Sequence, residues 1–153
     1  MAARHRSAAR LASVQALYQM EVAGKGINEI LAEFETHWIG GEIEGVQYEE
    51  ADVDLFRNIL KGVLADQVSI DRTTDAALQE GWPLRRVEAV MRAVLRAGVY
   101  ELVSRGDVPA RVVITEYVDV AAAFLGNDEV GMINAVLDKL ARQIRAPEFA
   151  PRT

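Results

Sequence analysis

The chain has 153 residues, half of them hydrophobic and 26% charged, with no cysteine and a net charge of −6. A chain of this length buries roughly 70% of its unfolded surface, so one core can hold it without staples, and the missing thiols exclude disulfide scaffolds, cysteine-ligated metal centres and thiol catalysis. No stretch approaches ~18 uninterrupted apolar residues, and the basic start Met1-Ala2-Ala3-Arg4-His5-Arg6 leads into no apolar signal core, so the default expectation is a cytoplasmic protein with no membrane span.

Taken in chain order, the periodicity is helical. Leu11, Val14, Tyr18 and Val22, with Leu17 beside them, predict one amphipathic face, and Gly24 and Gly26 stop that helix. Asn28 is the expected N-cap of a second helix with Leu31, Phe34 and Trp38 inward. A Gly- and Glu-rich loop from Gly40-Gly41 to about Glu49 precedes a third stripe of Val53, Phe56, Leu60 and Val63. Asp71 is placed as the cap of a short fourth helix through Leu78. Gly81-Trp82-Pro83 is the clearest break, and proline suits the first turn of a new helix. That fifth helix should bury Val87, Val90, Met91, Val94, Leu95 and Leu102 and end at Gly106. Asp107-Val108-Pro109 restarts a sixth, with Val113, Tyr117, Val120 and Phe124 inside. After Gly126-Asn127-Asp128 a seventh carries Ile133, Val136, Leu137, Leu140 and Ile144, closed by Pro147. The expectation is an all-α protein of about seven helices in two bundles, residues 1–81 and 82–153, packed as one compact domain.

The charge is unevenly spread. Residues 1–20 carry Arg4, Arg6 and Arg10 and no acid, residues 21–57 carry ten acids against Lys25 and Arg57, and residues 139–153 return to +3. A basic end on an acidic body is a candidate local phosphate site, although a solvated terminus gives the same pattern. Arg6 and Arg10 stand one helical turn apart, and guanidinium groups bind phosphates bidentately. Signals for catalysis are weak. His5 and His37 lie far apart and in no zinc-binding HExxH, Gly24-Lys25-Gly26 lacks the order of a phosphate loop, and the acids Glu49, Glu50, Asp52 and Asp54 suit the positive end of a helix dipole. No enzyme activity, cofactor or metal is expected.

Several segments resemble one family. They are Arg6-Ser7-Ala8-Ala9-Arg10, Val14-Gln15-Ala16-Leu17-Tyr18, Phe56-Arg57-Asn58-Ile59-Leu60-Lys61-Gly62-Val63 and Trp82-Pro83-Leu84. In the same order follow Arg92-Ala93-Val94-Leu95-Arg96, Tyr100-Glu101-Leu102, Asp107-Val108-Pro109, Ile114-Thr115-Glu116-Tyr117-Val118 and Asn134-Ala135-Val136-Leu137-Asp138-Lys139. Together, over residues 4–146, they look like the NusB family of bacterial transcription antitermination factors. The resemblance implies two packed three-helix-type bundles and no catalysis. It implies a partner, the ribosomal protein NusE, and binding with it to the boxA element of nascent RNA, within the antitermination complex of RNA polymerase that reads through ribosomal RNA operons. Family members resembling this chain are monomers or homodimers.

Carried over by position, Arg4, Arg6 and Arg10 fall on the RNA side, with Arg92, Asp128 and Met132, while Gln15, Tyr18, Met91 and Arg92 fall toward the partner. The chain departs from the family pattern at Met91, where an acid is usual, at Gly131-Met132, where Lys-Phe is common, and at Ala122, where lysine is usual. Losing an aromatic platform at Met132 should weaken base stacking, worth ~1–3 kcal/mol per base. The same side chains also have plainer readings. Tyr18 can be a core ring with a wet hydroxyl, Trp82 a packing residue, Arg92, Arg96 and Arg105 a solvated helix face, and Asn134 a bond to neighbouring backbone. Two alternative functions stand beside antitermination: a stand-alone RNA-binding domain like those accessory to ribosomal RNA methyltransferases, and a helical protein adaptor that does not bind RNA.

Overall fold

The computed structural model describes residues 2–37, 42–43, 46–47, 52–78 and 87–150. Among them are six α-helices: α1 Ala2–Ala23, α2 Ile27–His37, α3 Val53–Ala77, α4 Ala89–Ser104, α5 Ala110–Ala122 and α6 Asn127–Ile144. A 3-10 turn, Ala146–Phe149, follows α6, and β1 Glu42–Ile43 pairs antiparallel with β2 Val46–Gln47. The all-α expectation holds with one helix fewer. The third and fourth expected helices are the single α3, because no Gly or Pro interrupts residues 63–78 and Asp71 does not cap a helix. The cap of α3 is Asp52, whose carboxylate accepts from the Leu55 N–H at 3.0 Å.

Other boundaries shift for local reasons. Gly24 ends α1 at φ +68°, a left-handed conformation that glycine adopts without penalty. Asn28 lies inside α2, which already begins at Ile27 with the Ile30 N–H bonded to the Gly26 carbonyl. The helix expected to begin near Pro83 begins at Ala89. Trp38, the Gly40-Gly41 and Gly81-Trp82-Pro83 breaks and the domain boundary at 81/82 lie outside the described residues.

The centre is α4, which packs against α1, α3, α5 and α6. Of its sixteen residues, ten are buried, among them Val94, Leu95, Val99 and Leu102. A helix surrounded on several sides must be apolar nearly all round. Close approach to α3 depends on Gly62, where a Cβ would lie 2.1 Å from the Tyr100 ring. The Tyr100 hydroxyl then donates to Asn58 at 3.0 Å. Phe34 of α2 stacks on Phe56 of α3 with ring centroids 5.7 Å apart. Arg145, after α6, turns inward. Its guanidinium donates to the carbonyls of Glu101, Leu102, Arg105 and Val108 at 2.7–3.1 Å, placing a positive charge against the C-terminal end of α4 and the turn that follows it. One of the C-terminal positive charges is thereby removed from the surface.

The expected inner faces of α5 and α6 are largely observed: Val113, Tyr117, Val120, Ile133, Val136, Leu137 and Leu140 are buried. Ile144, at the end of α6, is half-buried against the same core, and Phe124 is the exception. It falls just beyond α5 and is 45% exposed. The face of α1 is also rotated from expectation. Val14 and Leu17 are buried, but Leu11, Tyr18 and Val22 are exposed, and the buried side is completed by Ala9, Ala12, Ser13 and Ala16. Small residues let α3, α4 and α5 come close to α1, so proximity and not bulk sets which side is interior.

Candidate functional site

The candidate residues lie on α1 and the elements packed around it, and burial separates them. Arg4 and Arg6, in the first turns of α1, are exposed. Arg10, one turn further, is only 1% exposed. Its Nε and Nη2 donate to both carboxylate oxygens of Glu101 of α4, at 2.8 and 3.0 Å, and its Nη1 donates to Glu116 of α5 at 2.9 Å. The Tyr117 hydroxyl also donates to Glu101, and the Ser7 hydroxyl donates to Glu116 at 2.7 Å. The expectation that Arg10 faces RNA is therefore corrected: its guanidinium is consumed by a buried network joining α1, α4 and α5.

The electrostatics follow from this packing. Burial pulls the Arg10 guanidinium down, but the paired Glu101 carboxylate outweighs it and holds Arg10 above its ordinary value. Burial, and next the Glu101 charge, push the Tyr117 phenol well above its usual range, so it stays a donor. A signal for this network was present in the sequence. Glu101 is a lone acid within the run Gly98-Val99-Tyr100-Glu101-Leu102-Val103, and a carboxylate at such a position needs a buried cation.

On another flank of α1, Val14, Gln15, Tyr18 and Gln19 join Val90 of α4 and Phe124 to line an open groove of about 400 Å³. Tyr18 is 37% exposed and lines the groove beside Gln15, so the structure favours the surface reading of this residue over the core one. Met91 is not there. At 3% exposure it belongs to the core, because the α4 face that carries it is covered, and it is not available to a partner. Val14, Gln19, Val90 and Phe124 are the groove residues that sequence reasoning missed. An aromatic at the very end of a helix stripe, followed by Leu125-Gly126, looks like core until the helix is seen to stop before it.

The second group of expected RNA residues is dispersed. Arg92 donates to Glu21 at 2.8 Å and to the Val87 carbonyl. Arg96 grips Asp71 with two bonds of 2.9 Å and also reaches Glu21 at 3.2 Å, so both cations are matched by acids of α1 and α3. The bonded Asp71 holds Arg96 above its ordinary value against the cost of burial. Asp128 is exposed in the first turn of α6, and Met132 is half-buried against the core. Asn134 is exposed, and its side chain has no hydrogen bond among the described residues. No group of three or more His, Cys, Asp or Glu placed to hold a metal occurs among the described residues, and none of their helices is long and apolar enough to cross a membrane.

Comparison with known proteins gives a consistent result. The NusB family model matches residues 7–142. The transcription antitermination protein NusB of Bradyrhizobium sp. (strain BTAi1) is 61% identical over 150 residues, covering 98% of this chain and 89% of that protein. Its counterpart in Nitrobacter hamburgensis is 60% identical over 148 residues, covering 97% and 92%. Among solved structures, T. maritima NusB superposes with a TM-score of 0.77 at 27% identity, covering 94% of this chain and 96% of that one. A chain of the crystal structure of antitermination factors NusB and NusE in complex with double-stranded RNA shares the fold, with a TM-score of 0.71 at 20% identity over 92% and 98% of the two chains.

Proposed function

This chain belongs to the NusB family, and we propose that it is a transcription antitermination factor that binds boxA RNA together with a NusE-type ribosomal protein. It acts by binding, without catalysis, in the cytoplasm, as part of the complex that lets RNA polymerase read through terminators, notably in ribosomal RNA operons. The observation that carries this reading is the 61% identity, over nearly the whole chain, to a protein of that name. The solved complex of a family member with NusE and RNA supports the choice of partners.

The geometry supports a division of labour. Gln15, Tyr18 and Phe124 on the open groove form the protein-binding face, since an exposed aromatic beside a polar amide on an apolar floor is the composition of an interface centre. Arg4 and Arg6 form the RNA-facing arm, while Arg10 supports the helix that carries them. Within the same reading, residues 1–81 and 82–153 are two bundles pressed together. The packing of α1 against α4 and α5 as well as α3 supports a single body.

The test is a mobility shift of boxA RNA with the chain alone, with NusE and with both. The complex of all three should bind tightest. Replacing Tyr18 with Ala should lower NusE affinity by about fivefold or more, as expected for truncating an interface anchor worth over ~1 kcal/mol. Because Tyr18 lies outside the core, its melting temperature should match wild type. Unaltered NusE capture by a folded Tyr18→Ala protein would move the interface off the groove. RNA binding that is independent of NusE would favour the alternative of a stand-alone RNA-binding domain.

A further inference from the structure

Among the described residues Arg6, Arg72 and Arg111 make no ion pair, and of these Arg111 alone packs on an aromatic ring. Arg10, Arg57, Arg92, Arg96, Arg105, Arg142 and Arg145 each bond a carboxylate. Arg111, exposed in the first turn of α5, makes no ion pair among the described residues. Its guanidinium instead lies 6.0 Å from the centre of the Phe149 ring, and that of Arg142 from α6 lies 4.9 Å from the same centre. A cation–π contact engages a guanidinium through its charge and leaves its N–H edge open to a planar oxyanion. Phe149 thus orients Arg111 without using the donors that would grip a phosphate.

The position of Arg111 gives this orientation meaning. Arg111, Val112, Thr115 and Glu116 line one open depression of about 330 Å³ on α5. Glu116, one of its lining residues, is the residue that Ser7 and Arg10 of α1 bond, so the start of α1 packs beside this depression. Arg111 and Glu116 are five positions apart in α5, about 7.5 Å along the axis. Three acids lie by this surface, and each has a counter-charge: Glu116 is paired with Arg10 at 2.9 Å, Asp138 with Arg142 at 3.0 Å, and Glu148, which accepts from the Ala110 N–H, with Arg145 at 2.7 Å.

We propose that Arg111, held by Phe149, is a phosphate contact that extends the RNA track from the α1 arm across α5. The proposal rests on the RNA-binding reading given above. Arg111 supplies charge and N–H donors, and Phe149 is a positioning residue that lowers the conformational freedom lost when the phosphate is gripped. The two roles leave different signatures. Each phosphate neutralised on single-stranded RNA contributes a slope of about −0.7 to log affinity against log salt. Losing Arg111 removes one such contact, whereas losing the ring leaves the charge count intact.

The experiment is a salt titration of a fluorescein-labelled single-stranded boxA RNA with the chain and its NusE partner, for wild type, Arg6→Ala, Arg111→Ala, Phe149→Leu and Phe149→Tyr. Expected are a slope flatter by about 0.7 for Arg111→Ala, affinity weakened about two- to fivefold at unchanged slope for Phe149→Leu, and recovery in Phe149→Tyr. Thermal melts equal to wild type establish that the variants are folded, and Arg111→Gln replaces Arg111→Ala should the latter melt early. Weakened binding by Arg6→Ala with wild-type slope for Arg111→Ala would overturn this site and leave the RNA reading standing. Absence of any salt-dependent binding by wild type would overturn both.

Discussion

Replacing Arg10 with Ala should unfold the protein far more readily than any other loss of a positive charge from the α1 arm. Glu101 is fully buried, and Arg10 supplies two of the three hydrogen bonds that its carboxylate receives from side chains. Truncation leaves that charge with only the Tyr117 hydroxyl, and Glu116 loses its Arg10 partner as well. Breaking a buried pair from one side costs about 3–5 kcal/mol, a large share of the roughly 5–15 kcal/mol that holds a domain together. At about 2–4 °C per kcal/mol for a chain of this size, the melting temperature should fall by about 6–20 °C. Urea unfolding followed by circular dichroism measures the loss directly. The companion variant Arg10→Met with Glu101→Leu removes both charges and should recover most of it, since replacing a whole buried pair with apolar groups is often neutral. A loss below 1 kcal/mol in Arg10→Ala, accompanied by loss of RNA binding, would refute the reasoning and return Arg10 to the RNA surface.

Other outcomes follow from the packing and the titrating groups. Gly62→Ala places a methyl 2.1 Å from a Tyr100 ring carbon, so it should cost about 1–3 kcal/mol or more by overpacking, with partial rescue by Tyr100→Leu, read in the same unfolding assay. Val136→Asp forces a charge into a 5% exposed position of α6 and should lower the helical signal and the melting temperature together; an unchanged melt would contradict the register of that helix. The Ala110 N–H, and next Arg145, hold the Glu148 carboxyl below its ordinary value, so its contribution is present above the unfolded carboxyl range near pH ~4.3 and is lost as acid protonates it in the folded state. Glu148→Gln should therefore lower stability slightly at neutral pH and flatten the acid limb, the two profiles converging once Glu148 is protonated in the folded wild type. Tyr117, raised in the folded state, contributes stability that is complete below pH ~10 and declines as pH rises toward its folded value. Tyr117→Phe should lower stability at neutral pH and show a weaker alkaline decline.

Local pattern and glycine chemistry determined much of this protein from sequence. The 3/4 spacing of Val113, Tyr117 and Val120, and of Ile133, Val136, Leu137 and Leu140, predicted two helices and their inner faces because each packs one side against a single core. Gly24 ended α1 where expected because its left-handed backbone is a local property. The motifs from Arg6 to Lys139 pointed to the NusB family before any coordinates, since order and spacing are written in the chain. Sequence periodicity could not decide what depends on neighbours distant along the chain. Arg10 and Arg6 look alike in a basic arm, yet only Arg10 meets Glu101, 91 residues away, and burial at that meeting turns a candidate phosphate ligand into a structural ion pair. Tyr18 and Met91 each had a core reading and a partner reading, and the elements packed around α1 and α4 decided between them, leaving Tyr18 exposed and covering Met91. Asp71 looked like a cap because its sequence neighbours permitted one, and became instead the partner of Arg96, because α3 runs unbroken past α4 and presents the carboxylate to the guanidinium. Periodicity reports that a helix has an apolar side, whereas exposure of a given side chain is a property of the surface left after every helix has packed.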